Sequence, residues 1–107
     1  MKILMGVYAM SCQELTVGEL KQKLMSEANL QIIDVREVEE YRAGHIEGST
    51  LIPLGILPHR LDLIDRDKET VLVCRSGNRS REACTILQGR GFRKLSSLHG
   101  GLSSFSH

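Results

Sequence analysis

Thr70-Val71-Leu72-Val73-Cys74-Arg75-Ser76-Gly77-Asn78-Arg79-Ser80 is the stretch on which the reading of this chain turns. Its first four residues are apolar or β-branched and read as a buried strand. The residues that follow it, Arg81 to Arg90, carry Ala83, Ile86 and Leu87 at helical spacing and read as a helix. Cys74 therefore stands at the carboxyl end of a strand, in a tight loop that opens onto a helix N-terminus. Ligands of open α/β sheets bind at that edge. Backbone N–H groups there converge on an anion, and the helix dipole adds partial positive charge. Arg75 and Arg79 add two full charges. These surroundings favour a thiolate, which makes Cys74 a candidate nucleophile.

Working outward, the same alternation recurs. Thr16 followed by Glu19 has the form of a capping box, so Val17 to Met25 is expected to be helical. Leu30 to Val35 reads as a strand, Val38 to Ala43 as a short helix stopped by Gly44, and Thr50 to Pro53 as a short strand with its proline at the end. Leu57 to Ile64 has apolar residues at Leu57, Leu61 and Ile64 and reads as a helix. Lys94 to Leu98 reads as a final strand, weak in composition. Strands alternating with helices imply a mostly parallel central sheet flanked by helices on both faces, an α/β fold. Residues 13–107 are expected to form a single domain, with residues 1–12 a flexible N-terminal arm.

Composition narrows the function. With 107 residues and a net charge of +1, nothing in the charge balance favours nucleic acid or a membrane surface. There is no Trp and only 4% aromatic residues, which argues against a base-stacking surface. No apolar run approaches a membrane span. The apolar run within Met1 to Cys12 is at the short limit for the apolar region of a signal sequence, and Ala9-Met10-Ser11 matches a lipidation box poorly. Cys12, Cys74 and Cys84 are odd in number and widely spaced, which does not suggest a disulfide framework. A reducing, cytoplasmic location is the expectation. Cys12 and Cys84 read as unreactive thiols, one in the arm and one in mid-helix.

Three separated patterns then coincide. The first runs Asp34-Val35-Arg36-Glu37-Val38-Glu39-Glu40-Tyr41-Arg42-Ala43-Gly44-His45-Ile46-Glu47-Gly48-Ser49. The second is Val73-Cys74-Arg75-Ser76-Gly77-Asn78-Arg79-Ser80, and the third Gly100-Gly101-Leu102-Ser103-Ser104-Phe105. In order and spacing the chain resembles the single-domain rhodanese-like sulfurtransferases, from about the first helix to the C-terminus. It departs from them at Phe105, where the family usually carries Trp, and in lacking a further helix or tail after His107. The resemblance implies a rhodanese-like fold and a transferase that moves a sulfane sulfur through a persulfide on Cys74. The implied partners are a small-molecule donor such as thiosulfate and a thiol or cyanide acceptor, with thioredoxin or another sulfur-relay protein as candidates. No cofactor and no metal is implied.

The residues fit that chemistry individually. Backbone N–H groups from Arg75 to Ser80 could fan around the sulfur. Gly77 allows the loop a positive φ. Ser76 and Ser80 could donate to sulfur, or Ser80 could simply cap the helix. Arg75 and Arg79 could hold sulfonate oxygens, or Arg75 could face solvent. Asp34 and Arg36 fall on the same sheet edge, either supporting the anion site or, as favoured here, forming a structural network with the turn at Gly44 and His45. His45 is expected to be a turn residue with a satisfied ring, and Glu37, Glu39, Glu40 and Glu47 a solvated face.

Two other functions stay open at this point. One is a sulfur-relay or interaction module serving a protein partner. The other is a cysteine-dependent phosphatase or arsenate reductase. Those phosphatases place five residues between Cys and Arg. Here Arg79 is already the fifth residue after Cys74. The shorter loop suits one sulfur atom better than a tetrahedral oxyanion, which favours sulfur transfer.

Overall fold

The structure is a computed structural model that describes residues 12–26 and 29–105. Five strands form one sheet: β1 (Gln13–Leu15), β2 (Leu30–Asp34), β3 (Thr50–Leu51), β4 (Glu69–Val73) and β5 (Leu95–Leu98). Their order is β1-β5-β4-β2-β3, and every pairing is parallel. The helices are α1 (Val17–Ser26), α2 (Val38–Ala43) and α3 (Asn78–Gly89). The α/β expectation is met. The proposed arm, residues 1–12, lies outside the described residues except for Cys12.

Alternation along the central strands sorts the core into two layers. Ile33, Leu72 and Leu95 face one side, where they meet Ala83 and Leu87 of α3, together with Ile52, Leu57 and Phe92. Ile32, Val71, Val73 and Leu98 face the other, where Leu20 of α1 covers them with Leu15 and Ile46. Helix α1 starts as its sequence dictates. Thr16 N–H donates to Glu19 Oε1 at 2.8 Å, and Glu19 N–H donates to Thr16 Oγ1 at 3.1 Å.

Three expectations need correction. Leu57 to Ile64 is not one helix but two short 3-10 turns, Leu57–His59 and Leu61–Leu63. Pro58 sits in the first turn, and Arg60 leaves the helical region at φ −130°, ψ 42°, which separates them. Leu57 and Ile64 are nevertheless buried, as their spacing implied. Strand β3 ends at Leu51, because Pro53 has no N–H for the ladder, although Ile52 N–H still reaches Asp34 O at 2.9 Å. Strand β1 was not legible, being three residues long with two of them exposed. Finally, Cys12 and Cys84 are joined in a disulfide across 72 residues of sequence, with Cα atoms 5.9 Å apart. The expectation of unpaired thiols was wrong, because the approach of the segment before β1 to α3 is a tertiary fact that sequence spacing does not carry. No helix among the described residues is long and apolar enough to cross a membrane.

Candidate active site

Strand β4 ends at Val73, and Cys74 follows at the carboxyl edge of the sheet. The chain then turns through Gly77, at φ +108°, and is helical from Asn78. Helix α3 thus begins three residues earlier than its apolar pattern suggested. The glycine provides the left-handed turn, so the helix can start inside the polar loop sequence. Gly77 is the residue flanking the helix start. Ser80 is therefore not the cap but lies in the first turn of the helix.

This geometry aims the loop at one atom. Gly77 N–H donates to Cys74 Sγ at 3.0 Å, and Ser80 N–H donates to it at 3.3 Å. The Ser80 hydroxyl stands 3.6 Å from the sulfur. Cys74 is only 1% exposed, and Ser80 is fully buried. Burial pushes the thiol up. The Ser80 hydroxyl and the N–H groups of Ser80, Gly77 and Ser76 outweigh it, leaving the thiol below its ordinary value. The loop thus surrounds the Cys74 sulfur with N–H groups and one hydroxyl.

The other loop side chains do not all converge. Ser76 is exposed and contributes its backbone N–H. Asn78 is exposed and accepts from Arg81 Nη2 at 2.6 Å. Arg75 is exposed and lines a cavity of about 450 Å3, with Arg36, Ile46 and Leu102 among the other walls. Arg79 gives its terminal nitrogens to a carboxylate rather than to the sulfur, although its charge still acts on Cys74. Its Nη1 and Nη2 donate to the two oxygens of Glu40 at 2.8 and 2.9 Å. Glu40 also accepts the N–H of Glu37 at 2.8 Å, closing the N-terminus of α2. Its assignment to a solvated face is corrected: it ties α2 to the first turn of α3.

Asp34 and Arg36 form a buried pair beside the loop. Arg36 Nε and Nη2 lie 2.9 and 2.8 Å from the Asp34 oxygens, and Nη2 also donates to Gly44 O at 2.7 Å. Asp34 is fully buried. The pair pins the end of β2 to the turn after α2. His45 stacks on Tyr41 with ring centroids 3.7 Å apart, and its Nδ1 lies 2.8 Å from Tyr41 O.

Two supports of the cradle escaped the sequence reading. Ser97 of β5 is 1% exposed, and its Oγ lies 2.6 Å from Ser80 Oγ. The segment after β5 backs the loop: Leu102 N–H donates to Cys74 O at 2.8 Å, and Ser103 N–H to Arg75 O at 3.0 Å. The pair Gly100-Gly101 was the available signal for the second, since successive glycines mark close backbone approach. A serine in a weak strand gave no signal for the first.

The Arg79–Glu40 pair makes a testable contribution. The Arg79 guanidinium, aided by the Glu37 N–H, lowers the Glu40 carboxyl to about 2. A carboxyl held below its unfolded value stabilises the fold above that unfolded value, and the contribution is lost as pH falls toward the folded one. Glu40→Gln is expected to lower the thermal midpoint at pH 7. The difference from the native chain should shrink as pH falls from about 4.5 toward 2. Melting curves across that range check it. A difference that does not change with pH would mean that the charge on Glu40 is not what holds Arg79.

Comparison with known proteins agrees with this geometry. The family model for the rhodanese-like domain matches residues 16–107. The thiosulfate sulfurtransferase GlpE of Shewanella oneidensis is 35% identical over 96 residues, covering 89% of this chain and 93% of its own. A rhodanese-like domain protein from Staphylococcus aureus superposes with a TM-score of 0.83 at 31% identity, over 88% of this chain and 91% of that one. An NAD-dependent persulfide reductase from A. fulgidus is 37% identical with a TM-score of 0.75, and covers 98% of this chain but only 18% of the reductase. With that match over most of its length and its cysteine cradle at the sheet edge, the chain belongs to the rhodanese-like domain family.

Proposed function

We propose that the protein is a sulfurtransferase that carries a sulfane sulfur as a persulfide on Cys74. The observation that carries this reading is the convergence of Gly77 N–H, Ser80 N–H and the Ser80 hydroxyl on a single buried sulfur. The two N–H groups stabilise a thiolate without rearranging, and the Ser80 hydroxyl needs only to rotate its hydrogen to join them. In the first step the Cys74 thiolate attacks the outer sulfur of thiosulfate. The new S–S bond forms as the bond to the sulfonate sulfur breaks, and sulfite leaves with the electron pair. In the second step a thiolate or cyanide attacks the terminal persulfide sulfur, takes it, and returns the Cys74 thiolate. Arg75, exposed at the cavity wall, supplies a charge that would attract an anionic donor.

The phosphatase reading is weaker for two reasons. Arg79, the nearest counterpart of a phosphate-binding arginine, is committed to Glu40 through both terminal nitrogens. At 1% exposure, Cys74 can be approached by a narrow terminal sulfur more readily than by a tetrahedral phosphate. A relay role, passing sulfur to a protein thiol, is a second reading. It is favoured by the match to a small part of a larger persulfide reductase.

Intact mass tests the proposal. Incubation with thiosulfate is expected to add one sulfur atom to the chain, and cyanide should then remove it as thiocyanate. The native protein should leave an aryl phosphate unhydrolysed. Efficient phosphate hydrolysis with no added sulfur would reverse the ranking. Faster loss of the sulfur to a reduced thioredoxin-type protein than to cyanide would favour the relay.

A further inference from the structure

Ser97 lies on β5, and its hydroxyl has one recorded partner among the described residues, the Ser80 hydroxyl 2.6 Å away. Both residues are at most 1% exposed, so bulk solvent does not reach either of them. Ser80 Oγ is also 3.0 Å from Gly77 O and 3.6 Å from Cys74 Sγ. It thus has three neighbours and a single hydrogen to give.

Counting hydrogens separates the two states of the cysteine. With Cys74 protonated, the thiol S–H donates to Ser80 Oγ, and the Ser80 hydroxyl donates to Gly77 O. When the thiol ionises, the Ser80 hydrogen is needed at the sulfur. Gly77 O can release it, because that carbonyl also accepts the N–H of Arg81 at 3.1 Å. The Ser80 oxygen has then lost the thiol as a donor. The one hydroxyl left to donate to it is that of Ser97.

We propose that Ser97 is a positioning residue for the Cys74 thiolate, donating to Ser80 Oγ so that the Ser80 hydroxyl can turn its hydrogen onto the sulfur. The inference rests on the reading of Cys74 as the sulfur carrier. Ser97 touches neither sulfur nor donor. It acts through Ser80, and it matters more to the charged state than to the neutral one. Without it, the neutral site keeps every partner except Ser97. The ionised site would contain a buried oxygen that accepts nothing, and such groups are costly. Donation from Ser97 also polarises the Ser80 hydroxyl toward the anion.

The test is the pH dependence of iodoacetamide alkylation at Cys74, with Cys12 and Cys84 paired and the modified peptide identified by mass. Ser97→Ala is expected to raise the alkylation midpoint by about one pH unit, a tenfold loss of thiolate below the midpoint. Ser80→Ala should raise it as well. The double variant Ser80→Ala/Ser97→Ala should shift it no further than Ser80→Ala alone, since Ser97 works only through that hydroxyl. A native midpoint in Ser97→Ala would overturn the proposal. So would a double-variant shift equal to the sum of the single shifts. Alkylation uses no sulfur donor. A native chain that alkylates at low pH but takes no sulfur from thiosulfate would therefore overturn the sulfur-carrier reading while leaving the role of Ser97 intact.

Discussion

Cys74→Ser is expected to abolish sulfur loading while leaving the fold in place. The hydroxyl is a poor nucleophile near neutral pH, and among the described residues the groups hydrogen-bonded to Sγ are N–H donors and the Ser80 hydroxyl, none of them a base. The loss should be on the order of a thousand-fold or more in turnover, with no added mass after thiosulfate. The serine oxygen can accept from Gly77 and Ser80 as sulfur does. The helix start should therefore survive, and the thermal midpoint should stay within a few degrees. Cys12→Ser is the control. It removes a sulfur that takes no part in the cradle, so loading on Cys74 should persist even if the broken link to Cys84 lowers stability. Full loading in Cys74→Ser would end the proposal. Loss of loading in Cys12→Ser, with the fold retained, would show that the disulfide shapes the site.

The central part of this site was legible because its causes are local. A β-branched strand, a cysteine, a glycine and a polar helix start lie within eleven consecutive residues, and each acts on its neighbours. The strand alternation, the capping box at Thr16 and Glu19, and the positive φ at Gly77 were readable for the same reason. What escaped depends on distant partners. Glu40 looked like one more surface carboxylate, because nothing around it in sequence announces Arg79, 39 residues away. Ser97 looked like a weakness in β5, yet burial of Leu95, Ser96, Ser97 and Leu98 makes that strand fully interior. Its polar residues are tolerated where they find partners, as Ser97 does in Ser80. The failed helix at Leu57 to Ile64 is a different case. Its apolar spacing was right, but the excursion at Arg60 breaks the helical hydrogen bonding between the two turns.

Gly101→Ala tests whether the cradle is held from behind. Gly101 adopts φ +63°, and a Cβ there would stand 2.4 Å from Arg75 O and 2.6 Å from Ser76 N. Both of those atoms are backbone of the sulfur loop, so neither can swing aside as a side chain would. Either the segment Gly101–Ser104 moves away or the loop does. The N–H bonds from Leu102 to Cys74 O and from Ser103 to Arg75 O couple the two. The left-handed conformation alone costs alanine about 1–2 kcal/mol. The backbone overlap adds to that, and a total of about 3 kcal/mol would lower the thermal midpoint by more than 10 °C in a domain of this size. Displacing the loop should also disperse the N–H groups around Sγ, raising the alkylation midpoint and cutting sulfur loading at least tenfold. Two other glycines separate the causes. Gly48→Ala carries the positive φ, +86°, with open space around its Cβ, and Gly55→Ala carries neither burden. The expected order of damage is Gly101 first, Gly48 well behind it, and Gly55 near native. Only the Gly101 variant should move the alkylation midpoint. Equal damage from Gly101→Ala and Gly48→Ala, with native alkylation in both, would mean that backbone strain explains the whole effect and that the close approach to Arg75 does nothing for the cysteine.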